Sequence, residues 1–137
     1  MPEPEPEPVP EPVPVPDGWK PLSEDVRRTL ELLLAAESDA ERSFRAQIPH
    51  TVMHASDCAC PCVYLRVDTD AAPAVPMDKR MAVVAGASLC DAEGGYDGEV
   101  TLFAIDGALA DLQFCDWEDK GPGGRRLWEW MGHVHPA

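Results

Sequence analysis

Two spacings of apolar residues divide this chain into a helical first part and a stranded second part. Leu30, Leu33 and Leu34 follow Val26 at i+4, i+7 and i+8, with Glu37 continuing the row at i+11. The first four make a stripe broad enough to pack on a sheet. Ser23 stands ahead of that stripe as an N-cap, and Glu24 and Asp25 put negative charge where the first unpaired N–H groups lie. Ser38 and Glu41 then have capping-box spacing. Ala40, Phe44 and Ile48 share the face that follows, and Pro49 ends the run by driving its predecessor out of the helical region. The sequence thus predicts two helices joined by almost no linker.

From residue 51 the period changes. Thr51 and Val52 hint at a strand between Thr51 and Ser56, although the alternation there is poor. Val63, Leu65 and Val67 alternate with Tyr64, Arg66 and Asp68, the pattern of a strand with one face on a core. Pro61 marks where its pairing begins, and Cys62 shares the parity of Tyr64. Thr69 to Lys79 contains Pro73 and Pro76 and reads as a surface loop. Met81 to Leu89 is apolar and rich in small residues, as in a central strand, with Gly86 as a candidate bulge. Val100 to Ile105 and Ala108 to Asp116 are separated only by Asp106-Gly107, the signature of a type I′ hairpin whose central residues both need positive φ. Ala108, Ala110, Leu112 and Phe114 are expected on one side of that last strand, against Asp111 and Gln113. After Gly121-Pro122-Gly123-Gly124, Arg125 to Met131 predicts a short helix with Leu127, Trp130 and Met131 on one face, placed to cover a sheet edge. The expected class is α+β: two N-terminal helices packed on one face of an antiparallel sheet of about four strands, with a short C-terminal helix.

Composition separates off the first 18 residues. Every even position from Pro2 to Pro16 is proline. Such a run favours a polyproline II tail, disordered in the sense of lacking a core, that extends roughly 50 Å at about 3.1 Å per residue. Its prolines fall only at even spacings, so no Pro-x-x-Pro ligand occurs, and a spacer dispensable for folding is the expected role. Residues 19–137 then form a single α+β domain, large enough to bury roughly two thirds of its unfolded surface without disulfides or metal.

Charge narrows the partners. Of the net −14, five charges lie on Glu3, Glu5, Glu7, Glu11 and Asp17, and nine remain for the rest. An acidic body disfavours nucleic acid and favours a basic protein partner. No cationic start with an apolar run marks a secretory signal, and no stretch has the length of a membrane span. Five cysteines in such a chain read as reduced thiols of a cytoplasmic protein. Arginine outnumbers lysine eight to three, as a GC-rich coding genome would give.

The candidate chemistry lies in Cys58, Cys60 and Cys62, with His50 and His54 upstream. Thiolates and imidazoles suit zinc, which takes four ligands in a tetrahedron. Only Cys58 and Cys62 have knuckle spacing, however, and no second knuckle completes a pair, so reduced thiols without metal are the simpler reading. No Cys-x-x-Cys motif supports redox chemistry. His133 and His135 are expected in a loose tail, and Cys90 and Cys115 as small hydrophobes at strand ends. Asp91 to Glu99 superficially resembles a calcium loop, but Gly95 occupies the fifth position, where an oxygen ligand belongs, and a long hairpin turn fits better. Trp117, Trp128 and Trp130 are candidates for a partner surface, with core packing as the alternative. No hydrolase elbow, zincin, Walker or dinucleotide motif occurs, which argues against an enzyme.

The order of two helices rich in Leu, Ala and Glu, Cys-Ala-Cys-Pro-Cys leading a strand, a Gly/Asp loop, and a hairpin from Val100 to Phe114 around Asp106-Gly107 resembles small uncharacterised actinobacterial α+β proteins. In layout it is also similar to the acidic immunity proteins of polymorphic toxin systems, whose last hairpin often carries an Asp-Gly turn. The resemblance covers roughly Leu22 to Asp116. It implies a non-enzymatic, immunity-like protein that binds a basic partner, and it carries over no functional residue.

Overall fold

The structure is a computed structural model in which residues 18–55, 61–118 and 121–136 are described. The first helix, α1 (Glu24–Leu33), begins where the Ser23 hydroxyl accepts the N–H of Val26, and it buries Val26, Thr29, Leu30 and Leu33. The second, α2 (Asp39–Arg45), begins where Ser38 Oγ accepts the N–H of Glu41. Glu41 departs from capping-box geometry. Its carboxylate accepts the N–H of Ala36 at 3.1 Å, and the Arg45 guanidinium donates to Leu34 O at 3.0 Å. Side chains of α2 thereby satisfy the backbone of the sharp turn that precedes it, which explains why Glu41 is buried. Phe44 and Ile48 join the core, the latter from a single 3-10 turn at Ile48–His50. Ala40, expected beside them, is exposed.

Seven strands form one antiparallel sheet among the described residues: β1 (Lys20–Pro21), β2 (Thr51–Ala55), β3 (Val63–Val67), β4 (Met81–Cys90), β5 (Tyr96–Ile105), β6 (Ala108–Asp116) and β7 (Met131–Pro136). Their spatial order is β1-β2-β3-β6-β5-β4-β7. The class is α+β as expected, but a sheet of about four strands is not what forms. Two of the additional strands carry no legible pattern. β1 is two residues long and contains Pro21, and β7 reads Met-Gly-His-Val-His-Pro, in which Gly132 and Pro136 are poor strand residues and only Met131 and Val134 are strongly apolar. The short helix α3 (Leu127–Trp130) is a single turn whose Leu127 N–H is accepted by Asp25 of α1 at 2.8 Å. It does not cover the edge of β4; β7 does, pairing from Ala85↔Pro136 to Leu89↔Met131. His133 and His135 therefore sit in a strand and not in a loose tail.

The Asp106-Gly107 turn has φ of 49° and 82°, the two positive values of a type I′ hairpin. A bulge follows it. Phe103 pairs with Asp111 but Ala104 pairs with Leu109, so Ala110 is the extra residue. The bulge changes the parity, and the buried side chains of β6 are Leu109, Leu112 and Phe114 in place of the even series from Ala108. In β4 the register shifts between Val83 and Ala85 and between Leu89 and Cys90 against β5, and between Ala87 and Leu89 against β7, and not at Gly86.

The helices and one sheet face share a single core, with Leu30, Leu33 and Leu34 packed with Met53, Leu65, Ala85, Leu89, Val100, Leu102 and Leu112. Two buried polar side chains tie it together. Gln47 is fully buried. Its amide donates to Pro73 O at 3.1 Å and Gly107 O at 2.9 Å, while its carbonyl accepts the N–H of Leu109 at 3.0 Å. Asp97 accepts the indole N–H of Trp130 at 3.1 Å, and the Trp130 ring stacks on Phe114 at 5.9 Å between centroids.

Candidate functional site: the uncovered face of the sheet

Strand alternation sends the residues that do not enter the core to the opposite face, and register places them in rows. One row crosses five strands through His54, Tyr64, Asp111, Phe103 and Val83. Met81 lies opposite Ile105 beside it, at the end nearer the Asp106-Gly107 turn. Thr101 and Gln113 form the next row, Glu99 and Cys115 the one after. At the far end the Tyr96 hydroxyl donates to Glu99 Oε1 at 2.8 Å, and the Tyr96 and Trp117 rings stand 6.2 Å apart, tilted by 50°. The bond to the Glu99 carboxylate raises the Tyr96 pKa above the ordinary 10.0, with slight burial and the same negative charge adding to it.

All six large hydrophobic side chains that are exposed among the described residues belong to this face or its end: Tyr64, Met81, Val83, Tyr96, Ile105 and Trp117, from 37% exposed at Ile105 to 58% at Trp117. None lies in a helix. An antiparallel sheet open to water on one side ordinarily alternates apolar-in with polar-out, so this concentration departs from the norm. It has a signal in the sequence. Met81-Ala-Val-Val and Thr101-Leu-Phe-Ala-Ile carry apolar residues at both parities, the mark of a strand with two apolar faces.

Of the five residues proposed as metal ligands the structure describes His50, His54 and Cys62, and it does not bring these three together as a ligand set. Cys58 and Cys60 lie outside the described residues. His50 ends the 3-10 turn ahead of β2 and His54 sits near the other end of that strand, so the two are held apart. The His54 ring lies 2.6 Å from Ala55 O through Nδ1 and packs edge-on against Trp19. Cys62 is spent on β6, its sulfur accepting the N–H of Phe114 at 3.2 Å and its thiol lying 3.6 Å from Phe114 O. The thiol thus continues the β3–β6 ladder beyond Val63↔Leu112. Among the described residues no group of three His, Cys, Asp or Glu side chains is placed to hold a metal ion. The Asp91 loop is a hairpin turn: Asp91 Oδ1 accepts the N–H groups of Glu93 and Gly95 at 2.9 and 2.7 Å.

The three tryptophans named as a partner surface have three different environments. Trp117 is exposed. Trp128 is half-buried with the Arg28 guanidinium 5.5 Å from its ring centroid. Trp130 is wholly buried and cannot face a partner. Of two open clefts, one of about 450 Å3 runs along residues 74–80 and is lined by both apolar and charged side chains, and one of about 420 Å3 between α1 and Trp128 is otherwise lined by charged side chains.

Compared with protein families, curated proteins and solved structures, the chain has no match. No helix among the described residues is long and apolar enough to cross a membrane.

Proposed function

We propose that this chain is a non-enzymatic, acidic interaction protein that offers the uncovered face of its sheet to a basic protein partner, in its sharpest form an immunity-like protein masking a toxin. The observation that carries the reading is that all six exposed large hydrophobics among the described residues lie on one face or at its end, where a monomer gains nothing by placing them. Helices and core already occupy the other face. The net charge of −14 supplies the preference for a basic partner, because complementary potentials speed encounter and suppress wrong pairings.

A partner identified by affinity capture, or encoded by a toxin-like open reading frame beside the gene, is purified and its association measured against single substitutions. Val83→Asp places a charge opposite Phe103 and beside the exposed apolar residues Met81 and Ile105, and is expected to weaken binding at least about tenfold, by burying an unpaired carboxylate. Ser43→Asp, on the exposed side of α2, is expected to leave it unchanged. The association rate should fall steeply with added salt. A complex indifferent to both Val83→Asp and salt would remove the proposal.

A further inference from the structure

We propose that Trp117, Tyr96 and Glu99 form the subsite of this face that takes an arginine side chain of the partner, an inference that rests on the basic-partner reading and sharpens it. The chain has four tryptophans. Three have partners within the molecule: Trp19 packs against the His54 ring, Trp128 lies against the Arg28 guanidinium, and Trp130 stacks on Phe114. The Trp117 ring stands tilted beside that of Tyr96, and both residues remain more than half exposed. The fold thus covers one indole with its own arginine and presents a second that, among the described residues, has no cation over it.

The surroundings of Trp117 are those an arginine requires. A guanidinium is attracted to an indole face and is planar enough to stack on it while its N–H groups fork toward a carboxylate. Tyr96 engages Oε1 of Glu99 and orients that carboxylate, which stands in the row just inside the aromatic pair. The turn leading into Tyr96 carries Asp91 and Glu93, pinned by the Asp91 side chain. The nearby Arg125 points elsewhere, donating to Pro122 O and Cys90 O at 3.0 Å each. Aromatic rings and carboxylates together leave a surface complementary to a weakly hydrated cation, and the fixed phenol–carboxylate bond means little ordering is needed on binding.

Titration calorimetry of the full chain with an oligoarginine peptide, at low and physiological salt, provides the test. Wild type should bind it more tightly than oligolysine of equal length. Trp117→Ala should weaken the oligoarginine interaction about tenfold, Trp117→Phe should recover part of the loss, and Glu99→Gln, which keeps an acceptor for the Tyr96 hydroxyl, should weaken it without altering the fold. If oligoarginine binds but neither Trp117→Ala nor Glu99→Gln changes its affinity, the subsite is refuted while the basic-partner reading survives. If no basic peptide binds, or oligoglutamate binds as well, both fall. A dimer seen by sedimentation that Trp117→Ala dissolves would assign the patch to a second copy of the chain and overturn the arginine site.

Discussion

Replacing Gly107 by alanine tests the core of the fold with one carbon atom. At φ of 82° an L-residue pays the left-handed penalty, about 1 to 2 kcal/mol. A second cost comes from packing: a Cβ built there lies 2.1 Å from Val75 O and 2.7 Å from Val75 N, a collision with backbone that no rotamer relieves. Either the turn or the loop at Val75 must move. Movement breaks the bonds that Gly107 O accepts from Val75 N and Gln47 Nε2, both 2.9 Å, each contributing about 1 kcal/mol. The sum is about 3 to 4 kcal/mol. At a urea slope near 2 kcal/mol/M this shifts the unfolding midpoint down by about 1.5 to 2 M, readable by circular dichroism. Gly107→Asn separates the two causes, because asparagine tolerates positive φ yet still carries the Cβ. It should remain about 2 kcal/mol less stable than wild type. An asparagine variant as stable as wild type would refute the collision, and an unchanged alanine variant would refute the turn.

Gln47→Leu fills similar volume but takes the Gln47 amide away from the Leu109 N–H and Pro73 O and leaves Gly107 O with Val75 N, and chemical denaturation should show a loss of about 2 to 4 kcal/mol. Trp130→Phe keeps an aromatic ring against Phe114 while orphaning the Asp97 carboxylate, and the same assay should read a loss of about 1 to 3 kcal/mol. In a Tyr64→Phe background Tyr96 is the remaining tyrosine of the two, and ultraviolet titration should find it ionising above 10.0, with Glu99→Gln moving it down. Because the folded value is the higher one, the Tyr96–Glu99 bond contributes its stability in full below the unfolded value and loses it as pH rises through the folded one. Native mass spectrometry of protein purified without chelator is expected to find no tightly held zinc; one ion per chain, lost together with folding when Cys58 and Cys62 become serine, would reverse that expectation.

Where side chains alternate or cap locally, the fold was legible. Ser23 and Ser38 both cap, although Glu41 turns to Ala36 and does not close the box expected with Ser38, and Asp106-Gly107 makes the hairpin turn that its residue types demand. The extra strands were not, because β1 and β7 are held by backbone pairing to β2 and β4 and need no pattern of their own. The bulge at Ala110 is equally silent, since alanine suits either face, yet it moves Leu109 into the core. Gln47 and Asp97 escaped notice because a polar residue is recognised as structural only when its partners, 60 and 33 residues away, are brought to it. For the candidate site the sequence pointed at the thiols and at tryptophan as a type. It did not separate Trp117 from Trp130, which both bond to Asp97 at one end of the sheet and differ in which face each takes: Trp130 enters the core and Trp117 stays outside.

The position of β7 bears on how the chain survives its own synthesis. Met81–Cys90 reads Met-Ala-Val-Val-Ala-Gly-Ala-Ser-Leu-Cys, a ten-residue strand without charge or proline. Such a segment with an open edge is a template for pairing with other chains. Its partner on one side, β5, follows almost at once, but the other side stays open until Met131–Pro136 has been made. A ribosome-bound or C-terminally clipped chain therefore displays the most adhesive edge of the sheet. The last strand, undistinguished in sequence, serves as the guard that keeps a folded molecule from becoming the seed of an aggregate.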